Sequence, residues 1–467
     1  MTRQAIAVAA FLTLLLSLNT VQGMEPICGK GSITAVAVSG GGAKGAFEAG
    51  ALYHLIVHRD NDIQDFSGVS AGALNVSYLA QAKGGEKSLD NLKCQAKELV
   101  KVWLRIKGPQ DLLKPRCLGL AGVALFGTES LNDFTPFREL LERSVNPWRL
   151  YENQKKGHRY LRVGVVSFYD GKYFEIDPMS DKLVTVSQFN DYIYASSLIP
   201  IYGEMPRIPG KAEESDTNVD HWPQYADGGL RHMTPVIGYF PARNVDVLRF
   251  AQVHEKDLCK NLPQGIPPHP NNICRLFVIV SGPYSAESDT LPPPGSCQDS
   301  LNPIKTESNG RRILERTVTI GLRAPYRWDI NYALVANQML CWRDHVIEKL
   351  RNGPDSVANE KMLSALPCDF PVCSYNEKGG IDHHYEMAVI APLEHMADTY
   401  EFDCLNIRKQ LREGCEAANK AVIKAFKGAP NLTDACKEFE VPAEKDGCIF
   451  PPPERESEVC CDLRLSK

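Results

Sequence analysis

Apolar residues in the first part of the chain change between strand-like and helix-like spacing. Residues 33–39 are β-branched or small and run into consecutive glycines, which predicts a buried strand and a tight turn. Over residues 46–58 the apolar positions recur every three or four residues, which predicts a helix. Residues 65–69 and 71–82 repeat this order at once. Two consecutive strand and helix units favour a mainly parallel sheet.

Later apolar segments extend the same pattern. Residues 160–167, 276–281 and 387–391 are short apolar runs that suit interior strands of a parallel sheet. Residues 331–350 and 404–426 have helical periodicity and would cover its faces. The pattern therefore predicts an α/β fold with a mainly parallel central sheet.

Several segments interrupt this periodicity. Residues 211–218, 262–272 and 284–309 crowd Pro, Gly, Ser and charged residues together, and we interpret them as surface insertions. After Gly428 the chain becomes rich in proline and closely spaced cysteines. This composition predicts a small disulfide-stapled tail, which would serve either stability or the binding of a partner.

The N-terminus has the pattern of a cleaved signal peptide. Arg3 precedes an apolar run at residues 5–18, and small residues then lead to Gly23, where a signal peptidase would cleave. The alternative is a retained anchor helix, but the run is shorter than the roughly 20 apolar residues that span a bilayer. We predict a signal peptide at 1–23, an extracytoplasmic location and no transmembrane segment.

Composition agrees with export and narrows the choice of partners. Fifteen cysteines without paired Cys-x-x-Cys motifs favour disulfides, and the odd number leaves one thiol that is free, buried or bonded between chains. With 43% hydrophobic residues, the chain of 467 can bury a large core. A net charge of −5 provides no broad cationic surface for nucleic acid, so any membrane contact must be local and largely apolar.

A candidate nucleophile follows the second predicted strand. Ser70 lies in a Gly-x-Ser-x-Gly sequence, between Gly68 and Gly72, at the point where the predicted helix begins. A serine on such a turn has a strained backbone, and flanking glycines let the turn close while the hydroxyl stays accessible. The alternative is a glycine-lined turn in which the serine has no catalytic role.

A glycine loop follows the first predicted strand. Gly40, Gly41 and Gly42 are followed by Lys44 and Gly45, and they would leave backbone N–H groups unshielded at a helix N-terminus, as an oxyanion hole requires. The same string matches the Gly-x-Gly-x-x-Gly motif of dinucleotide-binding loops. In that interpretation Asp65 would be the ribose ligand, but it precedes the second strand, whereas a ribose ligand should follow it.

A third motif completes a set that resembles a known family. Asp227, Gly228 and Gly229 form Asp-Gly-Gly, preceded by Ala-Ser-Ser and Ile-Pro at 195–200 and followed by Thr-Pro-Val at 234–236. Together with the glycine loop and the Gly-x-Ser-x-Gly sequence, in this order, these motifs resemble those of the patatin-like phospholipases. Four ordered motifs are far more specific than any one of them.

The resemblance implies a particular fold and domain plan. It implies a three-layer α/β/α patatin-like fold with a mainly parallel sheet. One acyl hydrolase domain would span residues 31–427, with insertions near 211–218 and 284–309. The small Cys-rich tail at 429–467 lies outside the resemblance and would be stapled by disulfides.

The resemblance also implies the chemistry. Ser70 would attack an acyl ester of a glycerolipid, Asp227 would take its proton, and the glycine loop would bind the oxyanion, so the protein would be a secreted phospholipase A-type hydrolase. Such a Ser-Asp dyad works only if burial raises the basicity of the carboxylate. No metal and no organic cofactor are expected, and the expected partner is lipid at a membrane or micelle interface. The glycines at 45, 68, 72, 228 and 229, with Lys44, would support the motifs.

Other polar residues have weaker claims to a role. His232 follows Asp227 closely and would complete a triad, but we interpret it as an exposed loop residue. Lys44 either steers an anionic group or is solvated. The adjacent histidines at 383–384 point in different directions, so we interpret them as surface residues instead of metal ligands. Asn75 and Asn431 head glycosylation sequons, and the first is predicted to be buried.

Two other classes of protein remain as alternatives. A catalytically silent lipid-binding or signalling protein could keep the fold, although such a protein would be free to lose Ser70, Asp227 or the glycine loop. A nucleotide-binding α/β domain would use residues 40–45 but would leave Ser70 and Asp227 unexplained.

Overall fold

The computed structural model describes most of the predicted domain. Several predictions fall outside the described residues: the signal peptide at 1–23, the segments 262–272 and 284–309, the histidines at 383–384, most of the helix at 331–350 and the tail from 440 onward. The described residues are 32–116, 129–211, 213, 216, 218–239, 273–282, 329–330, 333–334, 337, 385–392, 402–426 and 428–439.

A seven-stranded sheet forms the centre of the described structure, in the order β6-β5-β2-β1-β8-β9 with β7 also paired to β5. All neighbouring pairs along β5-β2-β1-β8-β9 are parallel, while β6 and β7 run antiparallel to β5. The mainly parallel sheet is therefore confirmed. Its strands are β1 (Ile33–Val38), β2 (Ile63–Val69), β5 (Tyr160–Ser167), β6 (Tyr173–Ile176), β7 (Tyr225–Asp227), β8 (Ile273–Ile279) and β9 (Glu386–Ile390). The short strands β3 (Lys114–Pro115) and β4 (Asn132–Asp133) pair separately.

The run at 387–391 was expected to form an interior strand, and β9 confirms a strand there. Among the described strands it pairs with β8. Its burial alternates between buried and half-buried residues, as a strand with one more open face does.

Helices pack against this sheet, and their bounds follow the predicted periodicity closely. Among the described residues, none of the helices is long and apolar enough to cross a bilayer. They are α1 (Gly45–Tyr53), continued by a π-helical turn (His54–His58), α2 (Ala71–Ala80), α3 (Ser88–Arg105), α4 (Thr135–Ser144), α5 (Pro147–Lys155), α6 (Phe189–Ser196) and α7 (Cys404–Ala425). Short 3-10 turns are Gly42–Lys44, Pro109–Asp111, Val186–Gln188, Val219–His221, Gly228–Leu230, Ile237–Tyr239 and Thr433–Phe439.

The core has two parts, one on each face of the sheet. Val36 and Val38 of β1 point into the larger part, together with apolar residues of α1, α2, α3 and α7. Ala35 and Ala37 point into the smaller part, which also contains Tyr239. Successive residues of a strand face opposite sides, so this division shows that both faces of the sheet are covered. The predicted α/β layering is therefore confirmed.

The described start of the tail packs against the domain. Cys436 forms a disulfide with Cys415 of α7. Tyr53 at the end of α1 donates a hydrogen bond from its hydroxyl to Glu438, 3.0 Å away, and stacks edge-on against Phe439. The disulfide and these contacts hold residues 433–439 against α1 and α7.

Candidate active site

Ser70 occupies the turn between β2 and α2, as the motif predicts. Its backbone has φ 56° and ψ −127°, a conformation that non-glycine residues rarely adopt. Gly72 makes the turn possible, because a Cβ there would lie 2.2 Å from the Ser39 carbonyl oxygen. The serine therefore stands on a strained turn at the N-terminus of α2, the geometry of a nucleophile elbow.

Two further serines hold the backbone of this turn. The amide of Ser70 donates to Ser196 Oγ at 2.9 Å, and the Ser196 hydroxyl donates in turn to the Gly164 carbonyl at 2.7 Å. Ser197 Oγ donates to the Ser70 carbonyl at 3.3 Å. The Ala-Ser-Ser stretch carried part of the sequence resemblance, but sequence alone gave these two hydroxyls no role.

Asp227 lies beside Ser70 at the end of β7. It pairs with Val165 of β5, and its Oδ1 accepts a hydrogen bond of 2.7 Å from the Gly229 amide. Its side chain also accepts a hydrogen bond from Ser70. Burial raises the pKa of Asp227 to about 7, against the lowering effect of these two hydrogen bonds. The carboxylate is thus near the basicity that proton transfer at neutral pH needs.

Gly228 allows the Asp227 segment to approach the sheet. A Cβ at Gly228 would lie 2.4 Å from the Gly164 carbonyl oxygen, closer than any side chain can come. Gly164 also accepts the Ser196 hydrogen bond described above. The segments that hold Ser70 and Asp227 therefore meet at one backbone carbonyl of β5.

The glycine loop, residues 40–42, borders Ser70 on its other side. A Cβ at Gly40 would lie 2.7 Å from Ser70 Cβ, so this glycine lies directly against the nucleophile. Its amide, however, donates to the Met233 carbonyl at 3.0 Å. The N–H of Gly40 therefore already has an acceptor in this structure, and its place in the oxyanion hole stays a prediction.

Gly41 and Gly42 differ from Gly40 in this respect. Within the described part of the chain neither amide donates a hydrogen bond, and the turn Gly42–Lys44 places both at the start of α1. Gly42 has φ 59°, which suits glycine. These two amides remain the candidate donors to an anionic oxygen beside Ser70.

A buried polar network supports the glycine loop from behind. Ser281 Oγ donates to the Gly40 carbonyl at 2.6 Å, and the Ser281 amide donates to Ser39 Oγ at 2.9 Å. Ser39 in turn lies 3.3 Å from Glu48 Oε1. Burial raises the pKa of Glu48 well above its ordinary value, against hydrogen bonds from Asn75 and Ser39. Burial therefore favours the protonated, uncharged form of Glu48.

Sequence reasoning missed Glu48, although it had a signal. Glu48 is the acidic residue in the otherwise uncharged helix α1, every residue of which is buried. Asn75, predicted to be buried, is fully enclosed and donates to the Gly45 carbonyl at 2.9 Å and to Glu48 at 3.1 Å. Its amide is therefore used inside the fold and is closed to glycosylation.

His232 was expected to be an exposed loop residue, and this prediction is wrong. Its Nδ1 lies 2.9 Å from Asp329 Oδ1, and its ring lies edge-on to Tyr173 with 4.8 Å between centroids. Asp329 is buried and also accepts the Thr234 amide. In the described structure Asp227 receives its hydrogen bonds from Gly229 and Ser70, and His232 is paired elsewhere.

The surroundings of Lys44 and Asp65 test whether the glycine loop could bind a dinucleotide. Lys44 is half-buried and its charge lowers the pKa of Glu48, although burial dominates there. Asp65 is fully buried in β2, where Arg162 Nη1 pairs with it at 2.9 Å and the Tyr239 hydroxyl donates to it at 3.1 Å. A carboxylate enclosed in this way cannot bind a ribose.

One cluster of residues offers metal-ligand atoms. His54, His58 and Cys415 bring their ligand atoms within 4.8 Å of one another. Cys415, however, is in the disulfide with Cys436. Arg59 Nε donates to His54 Nε2 at 3.1 Å, which leaves His54 Nδ1 to carry the ring proton toward Cys415 Sγ at 3.4 Å. Burial lowers the pKa of His54 to about 3, and these contacts make it a neutral packing residue.

A large cavity of the described structure lies away from Ser70 and Asp227. It has a volume of about 1030 Å³ and opens near Gln81, just beyond the end of α2 that is remote from Ser70. Its lining is charged and includes Arg105, Arg138 and Asp191, but neither Ser70 nor Asp227. The cavity is therefore separate from the candidate active site. That site lies at the carboxyl edge of the sheet, because β1 ends at the glycine loop and β2 ends at Ser70.

The mainly parallel sheet, the serine elbow and the adjacent buried carboxylate define the framework of an α/β acyl hydrolase. Residues 36–238 match the family model described as Patatin-like phospholipase. This part of the chain therefore belongs to the patatin-like phospholipase family, and the resemblance drawn from the motifs is confirmed. The matched range contains Ser70, Asp227 and the glycines of the three motifs. Membership implies lipid acyl hydrolase activity.

Comparison with solved structures adds a distant match. The crystal structure of VipD from Legionella pneumophila aligns over 84% of this chain and 67% of its own, with 12% sequence identity and a TM-score of 0.29. A similarity at that level carries no argument about function. No curated protein matches the chain.

Proposed function

We propose that the protein is a secreted phospholipase A-type hydrolase that cleaves acyl esters of glycerolipids with Ser70 as nucleophile and Asp227 as its base. The observation that carries this proposal is the buried Asp227 carboxylate, hydrogen-bonded to Ser70 and with its pKa raised to about 7. A serine hydroxyl is a poor nucleophile until a base accepts its proton. Asp227 has both the contact and the basicity for that task.

The first half-reaction forms an acyl-enzyme. Ser70 Oγ attacks the ester carbonyl carbon while its proton passes to the Asp227 carboxylate. The carbonyl oxygen becomes an oxyanion, to which the amides of Gly41 and Gly42 donate. When the intermediate collapses, the bond to the leaving alkoxide breaks, and that alkoxide takes the proton from Asp227. The lysolipid leaves and the acyl chain stays on Ser70.

The second half-reaction repeats these steps with water. A water molecule attacks the acyl-enzyme carbonyl and gives its proton to Asp227, and the same two amides donate hydrogen bonds to the oxyanion that forms. Collapse breaks the bond to Ser70 Oγ, which recovers the proton from Asp227. The fatty acid is released and the enzyme returns to its starting state. Asp227 therefore accepts and returns one proton in each half-reaction.

The proposed location outside the cytoplasm is supported by two features of the chain. The N-terminal 23 residues have the pattern of a signal peptide. The Cys415–Cys436 disulfide is of a kind that persists in oxidising compartments. The insertions at 211–218 and 284–309 are candidate lids over the site. Deletion of either insertion with no change in hydrolysis of lipid vesicles would count against its role as a lid.

The test compares hydrolysis of a short-chain p-nitrophenyl ester and of mixed phospholipid vesicles by the mature protein and its variants. Ser70→Ala and Asp227→Asn should both fall to background. Ser77→Ala is the matched control, because this buried hydroxyl is on the same helix and has no hydrogen-bond partner in the described structure. A wild-type protein that is inert on every ester would make lipid binding without turnover the leading function.

A further inference from the structure

Two aromatic side chains extend into water at the turn between β5 and β6. Phe168 is 52% exposed and Tyr169 is 94% exposed. Exposed aromatic residues that stand side by side are unusual on a soluble protein, because each leaves a large apolar surface in water. The turn therefore offers a small, convex, apolar surface.

The turn is held rigid by its own hydrogen bonds. The Ser167 amide donates to the Lys172 carbonyl and the Gly171 amide donates to the Ser167 carbonyl, both at 2.9 Å. Lys172 Nζ lies 2.9 Å from Asp170 Oδ2, and the hydrogen bond from Lys172 lowers the pKa of Asp170 to about 2. The aromatic side chains are thus presented by a fixed backbone and not by a loose loop.

This turn lies beside the candidate active site. Val165 of β5 pairs with Asp227, so Phe168 is three residues, or about 10 Å, farther along the strand toward the carboxyl edge of the sheet. The Phe168 amide donates to the Gln224 carbonyl at 2.9 Å, and Arg231 Nε donates to the Gly171 carbonyl at 3.1 Å. Residues on both sides of Asp227 therefore attach the turn to the site.

We propose that Phe168 and Tyr169 are the contact by which this protein rests on a lipid surface. The inference deepens the proposed function and rests on it, since a glycerolipid substrate must be reached at an interface. Aromatic side chains suit the boundary between headgroups and acyl chains. Arg231 lies beside the turn with its positive charge, Lys172 is paired with Asp170, and the whole chain has a net charge of −5. The contact is therefore local and mainly apolar.

The size of the surface favours lipid over a protein partner. Two fully exposed aromatic side chains would bury about 300 to 500 Å² together, which is an upper bound here because Phe168 is 52% exposed. A stable protein interface needs about 800 Å² on each partner. A bilayer has no such requirement, because insertion of a few apolar side chains adds to the attraction that the headgroups supply.

Trp148 provides a matched control. It is 57% exposed at the start of α5, similar to Phe168. The backbone amide of Asn146, two residues before it, donates to Oε1 of Gln81 at 3.1 Å, and Gln81 lies just past the far end of α2. Trp148 therefore lies near the end of α2 that is remote from Ser70, and it should not meet a membrane that faces the active site.

The experiment measures flotation of the mature protein with phosphatidylcholine vesicles. All proteins carry Ser70→Ala, so that no lipid is consumed. Added Phe168→Ala and Tyr169→Ala should together weaken the partition coefficient about tenfold or more, as the loss of two apolar insertions predicts. Added Trp148→Ala should change it less than about twofold. Thermal melts of each variant should coincide, because all three positions are exposed.

Three results would overturn the proposal. The first is no binding of the parent protein to vesicles. In that case the expected partner of the turn would be a protein and not a lipid surface. The second is equal binding by the Phe168→Ala, Tyr169→Ala protein and its parent. The third is an equal loss with Trp148→Ala, which would indicate general surface stickiness. Because binding is measured without turnover, each result is separate from wild-type activity on a soluble ester, on which the proposed function depends.

Discussion

Two buried carboxyl groups flank the glycine loop, and they are suited to different tasks. Asp227 lies in front of the loop, in contact with Ser70, and its pKa is raised to about 7. Glu48 lies behind the loop, hydrogen-bonded by Asn75 and Ser39, and its pKa is raised well above the ordinary 4.5. In both cases burial is the main cause of the shift.

Asp227 and Glu48 together show that a raised pKa does not by itself identify a catalytic base. A base must reach the proton of a nucleophile and must also release that proton again near the working pH. Asp227 meets both conditions. The hydrogen bonds of Glu48 come from Asn75 and Ser39 and not from Ser70, so it serves as part of the buried network that holds Ser39 and Gly40.

The largest expected difference between the two carboxyls is in turnover. Asp227→Asn should lower kcat on a p-nitrophenyl ester by about 1000-fold or more, because no base remains for Ser70. Glu48→Gln keeps a neutral hydrogen-bonding group of the same size, so kcat should stay within about threefold of the wild type. A collapse of kcat in Glu48→Gln with normal folding would give Glu48 a direct part in the reaction.

The next effect is on stability. Glu48→Ala should lower the free energy of unfolding by about 2 to 4 kcal/mol, because it leaves a cavity and removes the partner of Asn75 and Ser39. Urea denaturation followed by circular dichroism measures this loss. Glu48→Gln is the control and should lose less than half as much; equal losses would mean that the hydrogen bonds contribute nothing.

Glu48 should also make stability depend on pH. Its pKa in the folded protein is raised, so the folded state keeps the proton that the unfolded chain releases above pH 4.5. Stability is therefore full below that pH and falls as pH rises toward the folded pKa. Relative to Glu48→Gln, the wild-type free energy of unfolding should fall as pH rises above 4.5, at up to about 1.4 kcal/mol per pH unit, until the folded pKa is reached. Parallel curves for the two proteins would show that Glu48 ionises inside the fold.

The smallest expected effect is a shift in the pH profile of activity. Asp227 must be ionised to accept the Ser70 proton, so kcat/KM should rise with pH to a plateau, with a midpoint near its pKa of about 7. Glu48→Gln should leave this midpoint unchanged to within about 0.3 pH units, since burial favours the uncharged form of Glu48 and the glutamine that replaces it is uncharged as well. A clear shift of the midpoint would show that the two groups titrate together.

The parts of the site that sequence predicted are those that depend on local backbone geometry. The strained Ser70 turn and the close passage past Gly164 require glycine at positions 72 and 228, and such requirements leave a readable pattern. The order and the spacing of the motifs then predicted the fold through the resemblance to the family. Strand and helix positions followed from periodicity for the same local reason.

The parts that sequence did not predict depend on contacts between distant segments. The Gly40 amide binds the Met233 carbonyl, and a backbone carbonyl leaves no trace in the choice of side chain. His232 meets Asp329 and Glu48 meets Asn75 only after the elements have packed. From sequence alone, a charged residue is predicted to be exposed to solvent, because its neighbours in the fold are not known.

The disulfide between Cys415 and Cys436 has a consequence for covalent integrity. It closes a loop of 21 positions that contains the exposed residues Gly428, Pro430 and Asn431. Exposed loops of this kind are where proteases cut folded chains. A chain nicked there would still migrate as one band on a non-reducing gel and would separate into two fragments only after reduction.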